Sequence, residues 1–480
     1  MSLLSQAADT PRAGNVASRR ILVIVCAGVV MASLDLFIVN VALPQIAADL
    51  REPSLGTLSW VLNGYAIIYA ALLVLAGRLA DQRNRKSGFL LGVAIFTAGS
   101  AACGFAANVP MLIAFRLVQA AGAALLTPTS LGLVLASYPA ERRGSAVRAW
   151  TATGGMAAAL GPVIGGLLVT ASWRWVFFVN VPIGLAALVI GWRQLPDVPG
   201  HPGPRPDELS ALLVTAGVGG LTLGLVRGGA WGWESALTIA VLAAAVLVLG
   251  LFALRCLRHH NPLIEPGLFR VRSFSGASVA TLLFSVSFGA MLLSVVLWMQ
   301  DAWGWSALKT GLGVAPGPIM VPLFSFLVTG RLLARYGPAV VIGLGAAVFS
   351  AGILWWALAV QLHPNYLEIL PGMLVTGIGV GLTLPSLMST AASSLPPPSF
   401  ATGSAVVNML RQLGFAVGVA MLVAVLGSPH GAGAELEAFR HGWYATAGAG
   451  LAAALAATWL RNRPSAQSAE ALVQPVSSAG

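Results

Sequence analysis

Leu34-Asp35-Leu36-Phe37-Ile38-Val39-Asn40-Val41-Ala42-Leu43-Pro44 closes an apolar run that begins at Ile21. A run of that length crosses a bilayer, whose hydrocarbon core takes about 20 apolar residues of helix. Asp35 is therefore a carboxylate deep inside a span, and it is the only such acid in the sequence. Leaving an ionised acid in hydrocarbon costs from roughly 3 kcal/mol on insertion scales to 10 or more in simulations. A residue kept at that cost reads as a group that faces a cavity and titrates, so Asp35 reads as a proton-binding site. The alternative is an acid capped by a neighbouring helix purely for packing. Asn40 is either part of the same cavity or an amide that joins two helices.

The composition sets the surroundings of that acid. Of 480 residues, 57% are apolar and 9% charged, against about 25% charged in a soluble domain. Apolar runs recur along almost the whole sequence, with Gly and Pro inside them as spans tolerate. Fourteen are read, at 21–43, 58–77, 88–107, 109–136, 146–170, 173–192, 209–226, 235–254, 275–299, 309–329, 338–360, 366–388, 403–427 and 440–460. The expected fold class is an all-α integral membrane protein, and an even number of spans puts both termini on one side. Of the 27 Lys and Arg, 20 fall on the side of the termini and 5 in the opposite loops (Arg51, Arg174, Arg227, Lys309 and Arg440). The other two, Arg116 and Arg411, lie inside spans. By the positive-inside rule both termini are cytoplasmic.

Several function classes drop out. The formal charge of +11 does not indicate nucleic acid, because the basic residues lie between spans and not on one solvated face. Cys26, Cys103 and Cys256 occupy separate apolar runs without metal-ligand spacing, so they read as packing residues and not as a disulfide framework or zinc site. No G-x-x-x-x-G-K-S/T loop supports ATP-driven pumping, and the one histidine cluster, His259-His260, sits in a cytoplasmic loop. Ser18-Arg19-Arg20 ahead of an apolar run resembles a twin-arginine export signal. The length of that run, its lack of a small-residue cleavage site and the many spans after it make Ile21 to Leu43 a span instead. No cofactor, metal or enzymatic activity is expected.

A weak internal repeat organises the spans. GRLADQRN, from Gly77, follows the second span, and GRLLARYG, from Gly330, follows the tenth. Gly122 precedes Pro128 by six residues in the fourth span, as Gly379 precedes Pro385 in the twelfth. Spans 1–6 and 9–14 thus form two parallel six-helix bundles with spans 7 and 8 inserted between them, a transporter arrangement with its substrate site between the halves. The expected division is an N-tail 1–20, a first bundle 21–192, a Pro-rich linker 193–208, inserted helices 209–254, a cytoplasmic loop 255–274, a second bundle 275–460 and a C-tail 461–480.

The remaining candidates follow from residue type and position. Arg116 and Gln119 in RLVQAAG are three apart, hence on one helical face. An arginine cannot shed its proton, so Arg116 acts as a fixed charge that lowers a nearby acid's pKa or orients an acceptor. Its reach to Asp35 stays open at this point, and pairing with backbone carbonyls is the alternative. In GGMAAALGPVIGG (Gly154 to Gly166), Gly161 and Gly165 form a G-x-x-x-G face for close helix approach, and Pro162 permits a kink. GRLADQRNRK places Asp81 near a helix end among Arg83, Arg85 and Lys86, contacts that a rocking motion breaks and remakes. Topology alone is the other reading of those basic residues, and Asn84 is compatible with a left-handed turn. Arg411 and Gln412 in NMLRQLGFAVG echo the basic-amide pairing of the first half, or Arg411 snorkels toward the cytoplasm.

These motifs, with NPLIEPGLFRVRSF (Asn261 to Phe274) and LWMQDAWGWSALKTG (Leu297 to Gly311), resemble the fourteen-span drug:proton antiporters of the major facilitator superfamily, from about Arg20 to Leu460. LDLFIVNVALP departs from the family's first-helix motif in Phe37, which stands for a Thr. The signature loop has Gln82 for a basic residue and Asn84 for Gly, and the fifth-helix motif has Ala157 for Gly. The resemblance implies proton coupling through Asp35 and Arg116, and a gating loop of Gly77, Asp81, Arg85 and Lys86. It also implies an antiporter motif of Gly161, Pro162, Gly165 and Gly166. Asn40, Gln119, Arg411 and Gln412 remain candidates for the cavity or for coupling.

The reading is a proton-coupled exporter of small lipophilic, drug-like molecules in the cell membrane. A dedicated exporter of a single metabolite is the second reading, and a non-transporting sensor the third. Asp301 and Glu368 lie at span ends, and Glu234 and Glu265 sit in or beside loops, so no second deep acid exists to hold a dication. Neutral or singly charged cargo follows, with Trp298, Trp355 and Trp356 among the aromatics that line a pocket or face lipid.

Overall fold

The computed structural model of the chain describes residues 10–52, 54–200, 207–395, 400–427 and 431–460. The helices are α1 (Thr10–Asp49), α2 (Leu55–Gln82), α3 (Arg85–Gly104), α4 (Val109–Ser137) and α5 (Ala140–Val169). Then come α6 (Trp175–Phe178 with Asn180–Gln194), α7 (Glu208–Trp231), α8 (Ala236–Arg258) and α9 (Arg272–Leu297 with the wide turn Trp298–Ala302). The last are α10 (Ala307–Val314, Pro316–Phe324 and Ser325–Thr329), α11 (Gly330–Ala359), α12 (Tyr366–Ser393), α13 (Phe400–Leu426) and α14 (Ala432–Ala457).

Among the described residues, eleven helical stretches are long and apolar enough to cross a membrane. One of them, Ala307–Ala359, is 53 residues long and turns at Gly337 (φ 78), so it accounts for both α10 and α11. α5 and α14, with 30 and 26 residues, reach about 45 and 39 Å at 1.5 Å per residue and are long enough to cross as well. Each of the fourteen expected spans thus corresponds to one helix. The helix bounds exceed the expected spans: α1 continues through Pro44 to Asp49 and α2 runs on to Gln82, so Gly77 and Asp81 are helical and not in a loop.

Glycines decide which helices touch. A Cβ on Gly161 of α5 would sit 2.7 Å from Phe37 Cβ, and one on Gly165 2.9 Å from Ile38 Cγ1, so α5 lies directly on the Asp35 helix. In the second half, Cβ atoms on Gly414 and Gly418 of α13 would meet the carbonyl oxygens of Leu282 and Val286 on α9 at 2.5 and 2.0 Å. Gly122 of α4 faces Phe96 N of α3 at 2.4 Å, and Gly379 of α12 faces Phe349 N of α11 at 2.5 Å. The Gly-Pro spacing that repeats in sequence therefore marks the same backbone approach twice, as small-residue interfaces allow.

The two sets of helices meet along α2 and α13 and at the end that carries Asp49 and Ala307. There a Cβ on Gly166 would be 2.6 Å from Ala307 O, and one on Gly311 2.3 Å from Pro162 O. Gln300 Nε2 donates to Val41 O at 3.0 Å, and the Phe37 and Phe288 rings stand edge-on at 6.3 Å. At the other end, α7 and α8 are tied together by Asp207, the N-cap of α7, which accepts from Ser210 N at 3.2 Å and from Arg255 Nε and Nη2 at 2.9 Å each. Burial pushes the Asp207 carboxyl up, but Arg255 and Ser210 more than offset it and hold it down to about 2.

Candidate functional site

Asp35 of α1 and Arg116 and Gln119 of α4 are fully buried and bonded to one another. Arg116 Nη1 donates to Asp35 Oδ2, forming an ion pair. Gln119 Nε2 donates to Asp35 Oδ1 at 2.8 Å, while Gln119 Oε1 accepts from Arg116 Nη1 at 2.7 Å. The three-residue spacing on α4 thus places a cation and an amide on one face, both aimed at one carboxylate. Arg116 Nε is fixed by Val61 O of α2 at 3.2 Å, and the guanidinium carbon stands 4.1 Å from the centre of the Tyr65 ring. The paired arginine is the reason that the acid persists at this depth, because attraction within the buried pair, together with the hydrogen bonds that Gln119 and Asn180 give the carboxylate, offsets much of the desolvation cost.

A sixth-helix residue completes the cluster. Asn180 Nδ2 lies 3.4 Å from Asp35 Oδ1 and 3.1 Å from Ser100 Oγ, and Ser100 in turn donates to Phe177 O at 2.9 Å. Neither Asn180, Ser100 nor Tyr65 was expected from sequence. Asn180 carried a usable signal: it is the sole amide in the apolar run 173–192, and the rule that singled out Asp35 applies to it in weaker form. Two buried polar atoms in the cluster, Arg116 Nη2 and Asn180 Oδ1, have no hydrogen-bond partner. Donor capacity on the guanidinium and acceptor capacity on the amide thus remain unspent beside the carboxylate.

The other expected residues are more dispersed. Asn40 is buried but turns back on its own helix, donating to Leu36 O at 3.1 Å, so its amide NH2 does not join two helices. Gly77 packs toward Pro128, with 3.7 Å from its would-be Cβ to Pro128 Cβ, and Arg85 Nη1 donates to Gly132 O at 3.2 Å. Lys86 Nζ is 3.9 Å from Asp197 Oδ2, and the Asp81 side chain lies outside the described residues. Asn84 is not left-handed: it sits at φ −66 as the N-cap of α3 and accepts from Lys86 N at 2.9 Å. Its counterpart by repeat position, Gly337, does take the left-handed conformation. Gly161, Pro162, Gly165 and Gly166 clamp α5 between α1 and α10. Arg411 and Gln412 do not reproduce the Arg116–Gln119 bond, because consecutive helical residues point about 100° apart and each faces a different neighbour.

A bundle of fourteen membrane-crossing helices, with one charge pair locked among four of them, is the architecture of a secondary transporter. The chain belongs to the Major Facilitator Superfamily, whose family model matches residues 25–419 and again 277–476. It is 34% identical over 411 residues to the tetracenomycin C resistance and export protein of Streptomyces glaucescens, covering 85% of this chain and 74% of that one. It is 34% identical to the methylenomycin A resistance protein of Bacillus subtilis, over 89% of each chain. The cephamycin export protein of Amycolatopsis lactamdurans is 35% identical over 86% of each chain. A crystallised peptide-transporter-family protein, PepTSo, shares the fold at TM-score 0.67 and 14% identity, over 92% of this chain and 97% of that one.

Proposed function

We propose that this protein exports small lipophilic, antibiotic-like molecules across the cell membrane in exchange for protons. The observation that carries the reading is the ion pair of Asp35 with Arg116, closed by Gln119 and Asn180. Protonation of Asp35 removes the negative partner of a buried cation. That change frees Arg116 and Gln119 to take other acceptors, so the cluster is a two-state element whose balance a proton gradient sets. The three relatives named above are named for the export of antibiotics or resistance to them, which supports a cargo of that class.

In this proposal both termini are cytoplasmic, and helices α1–α6 and α9–α14 are two units that rock about the central site, with α7 and α8 at the periphery. The close contacts of α5 with α10 and of α1 with α9 lie on the extracellular side. Gly77, Asp81, Arg85 and Lys86 form the cytoplasmic gate. Cargo is neutral or singly charged. A dedicated exporter of one compound is the second reading, supported by the tetracenomycin and methylenomycin relatives, each named for one antibiotic.

Everted membrane vesicles energised to an acid lumen test the proposal. They are expected to accumulate a lipophilic fluorescent dye and to release lumenal protons when dye is added, and Asp35→Asn is expected to do neither. Gradient-driven dye uptake by a correctly folded Asp35→Asn protein overturns it.

A further inference from the structure

The Asp35 cluster consumes the one deep carboxylate among the described residues, and a second intramembrane cation is left over. Arg411 stands in α13 eleven residues after the helix begins at Phe400, roughly 17 Å along the axis. It is half-buried and makes no hydrogen bond or ion pair with any of the described residues. It shares a helical face with Gly414 and Gly418, which press against α9, and it lies close enough to Tyr69 of α2 to interact with it electrostatically. Tyr69 is itself held by Thr127 at 3.1 Å, and its ring stands 6.0 Å from Tyr65, the ring that carries Arg116. Arg411 therefore projects between the two halves, next to the aromatic pair that leads to the Asp35 site.

A guanidinium left without a partner at that depth is costly, as an acid is, and the described residues supply no counterion. A planar fork of donors, permanently charged and weakly hydrated, is suited to bind a carboxylate or similar oxyanion bidentately. Tyr65 and Tyr69 offer an apolar, aromatic wall beside it. We propose that Arg411 is a substrate-binding residue, and that the exported compounds of preference are aromatic or lipophilic monoanions whose acidic group supplies the counterion Arg411 lacks. This rests on the exporter reading above for its biological sense, but the binding itself does not depend on a proton gradient.

The test uses the purified full chain in lipid nanodiscs and three matched probes: 1-pyrenebutanoate, its methyl ester and 1-pyrenebutylamine. Binding is read by energy transfer from tryptophan to pyrene, with no gradient applied. The wild type is expected to bind the carboxylate about tenfold more tightly than the ester or the amine, and Arg411→Gln to reduce that preference to roughly twofold or less while ester affinity holds. Retained ester binding shows that the variant is folded, and Arg411→Lys is expected to keep part of the preference. Equal binding of acid and ester by the wild type, or a preference that survives Arg411→Gln, overturns the proposal. Gradient-driven uptake in everted vesicles is measured separately. If no probe is transported while the Arg411-dependent preference stands, the exporter reading fails and the anion site remains.

Discussion

Replacing the two partners of the central ion pair singly and together separates its structural from its functional role. Asp35→Asn leaves the Arg116 guanidinium, fully buried, facing an amide oxygen, while Nη2 is already without an acceptor. Breaking a buried pair on one side costs about 3–5 kcal/mol when nothing replaces the lost charge. The amide still accepts one hydrogen bond, and a charged–neutral bond retains about 1.5–3 kcal/mol. The net destabilisation expected for Asp35→Asn is therefore about 1–3 kcal/mol. Arg116→Gln strands the carboxylate but leaves it Gln119 and Asn180 as donors, so its cost falls in the same range of about 1–3 kcal/mol. The double variant has no stranded charge, and neutral groups of similar shape are close to neutral in effect. Its destabilisation is expected to be close to zero, so it falls short of the sum of the single effects, about 2–6 kcal/mol, by nearly that whole amount. Reversible denaturant or steric-trapping unfolding in detergent measures all three, and gradient-driven dye uptake is expected to be absent in every one. Additive stability effects refute the ion pair as a coupled buried unit, and uptake by the double variant refutes its role in proton coupling.

Asn180→Leu removes a donor to Asp35 and one to Ser100, and is expected to lower gradient-driven uptake several-fold while helical content in circular dichroism holds; undiminished uptake places Asn180 outside the site. Gly161→Leu puts a branched side chain where even a Cβ would meet Phe37 at 2.7 Å, and overpacking of this kind costs about 1–3 kcal/mol, so a lower melting temperature and lost uptake are expected; a normal melting curve counts against the contact. The Asp207 carboxyl is held down to about 2 from 3.8, so its stabilisation is present above the unfolded value and is lost as pH falls toward 2. Because water reaches Arg255, Asp207→Asn is expected to cost about 1–2 kcal/mol near neutral pH and nothing at pH 2 or below; a pH-independent deficit removes the electrostatic account of the α7–α8 tie. Divalent quaternary ammonium compounds are expected to be exported far less well than matched monovalent ones, because Asp35 is already spent on Arg116; robust Asp35-dependent export of the divalent member defeats this.

The fold was legible because hydrocarbon imposes one simple pattern. Length, hydropathy and the Gly-Pro spacings were enough to locate fourteen crossings and their repeat. Helix ends were less legible, since α1 and α2 continue into polar sequence at Asp49 and Gln82, where neither hydropathy nor a breaker marks the stop. Asp35 and Arg116 stood out because charges in spans are costly. Their partnership did not, because two residues 81 apart are joined only by how α1 packs on α4. Asn180 escaped for the same reason, and so did Tyr65, which reads in sequence as one more aromatic. Asn84 was misjudged because capping and a left-handed turn use the same residue type, and only the following backbone N–H groups, which it accepts from Lys86 and Ser87, choose between them.

The two halves share packing but not charge. Arg116, Gln119, Gly122 and Pro128 of α4 have as their positional counterparts Met373, Thr376, Gly379 and Pro385 of α12, and a Cβ added to either glycine would meet a phenylalanine backbone nitrogen, at 2.4 and 2.5 Å. The glycines serve the same purpose twice, because each half must bring two helix backbones together. An arginine has no such general purpose in a span, and where α4 has Arg116 the second half has a methionine. The second half's own cation, Arg411, comes from α13, a helix whose counterpart in the first half is α5. The ion pair is therefore not a by-product of the repeat. One half carries a charge paired within the bundle, the other a charge without a partner among the described residues, and the tyrosines of α2 lie between them.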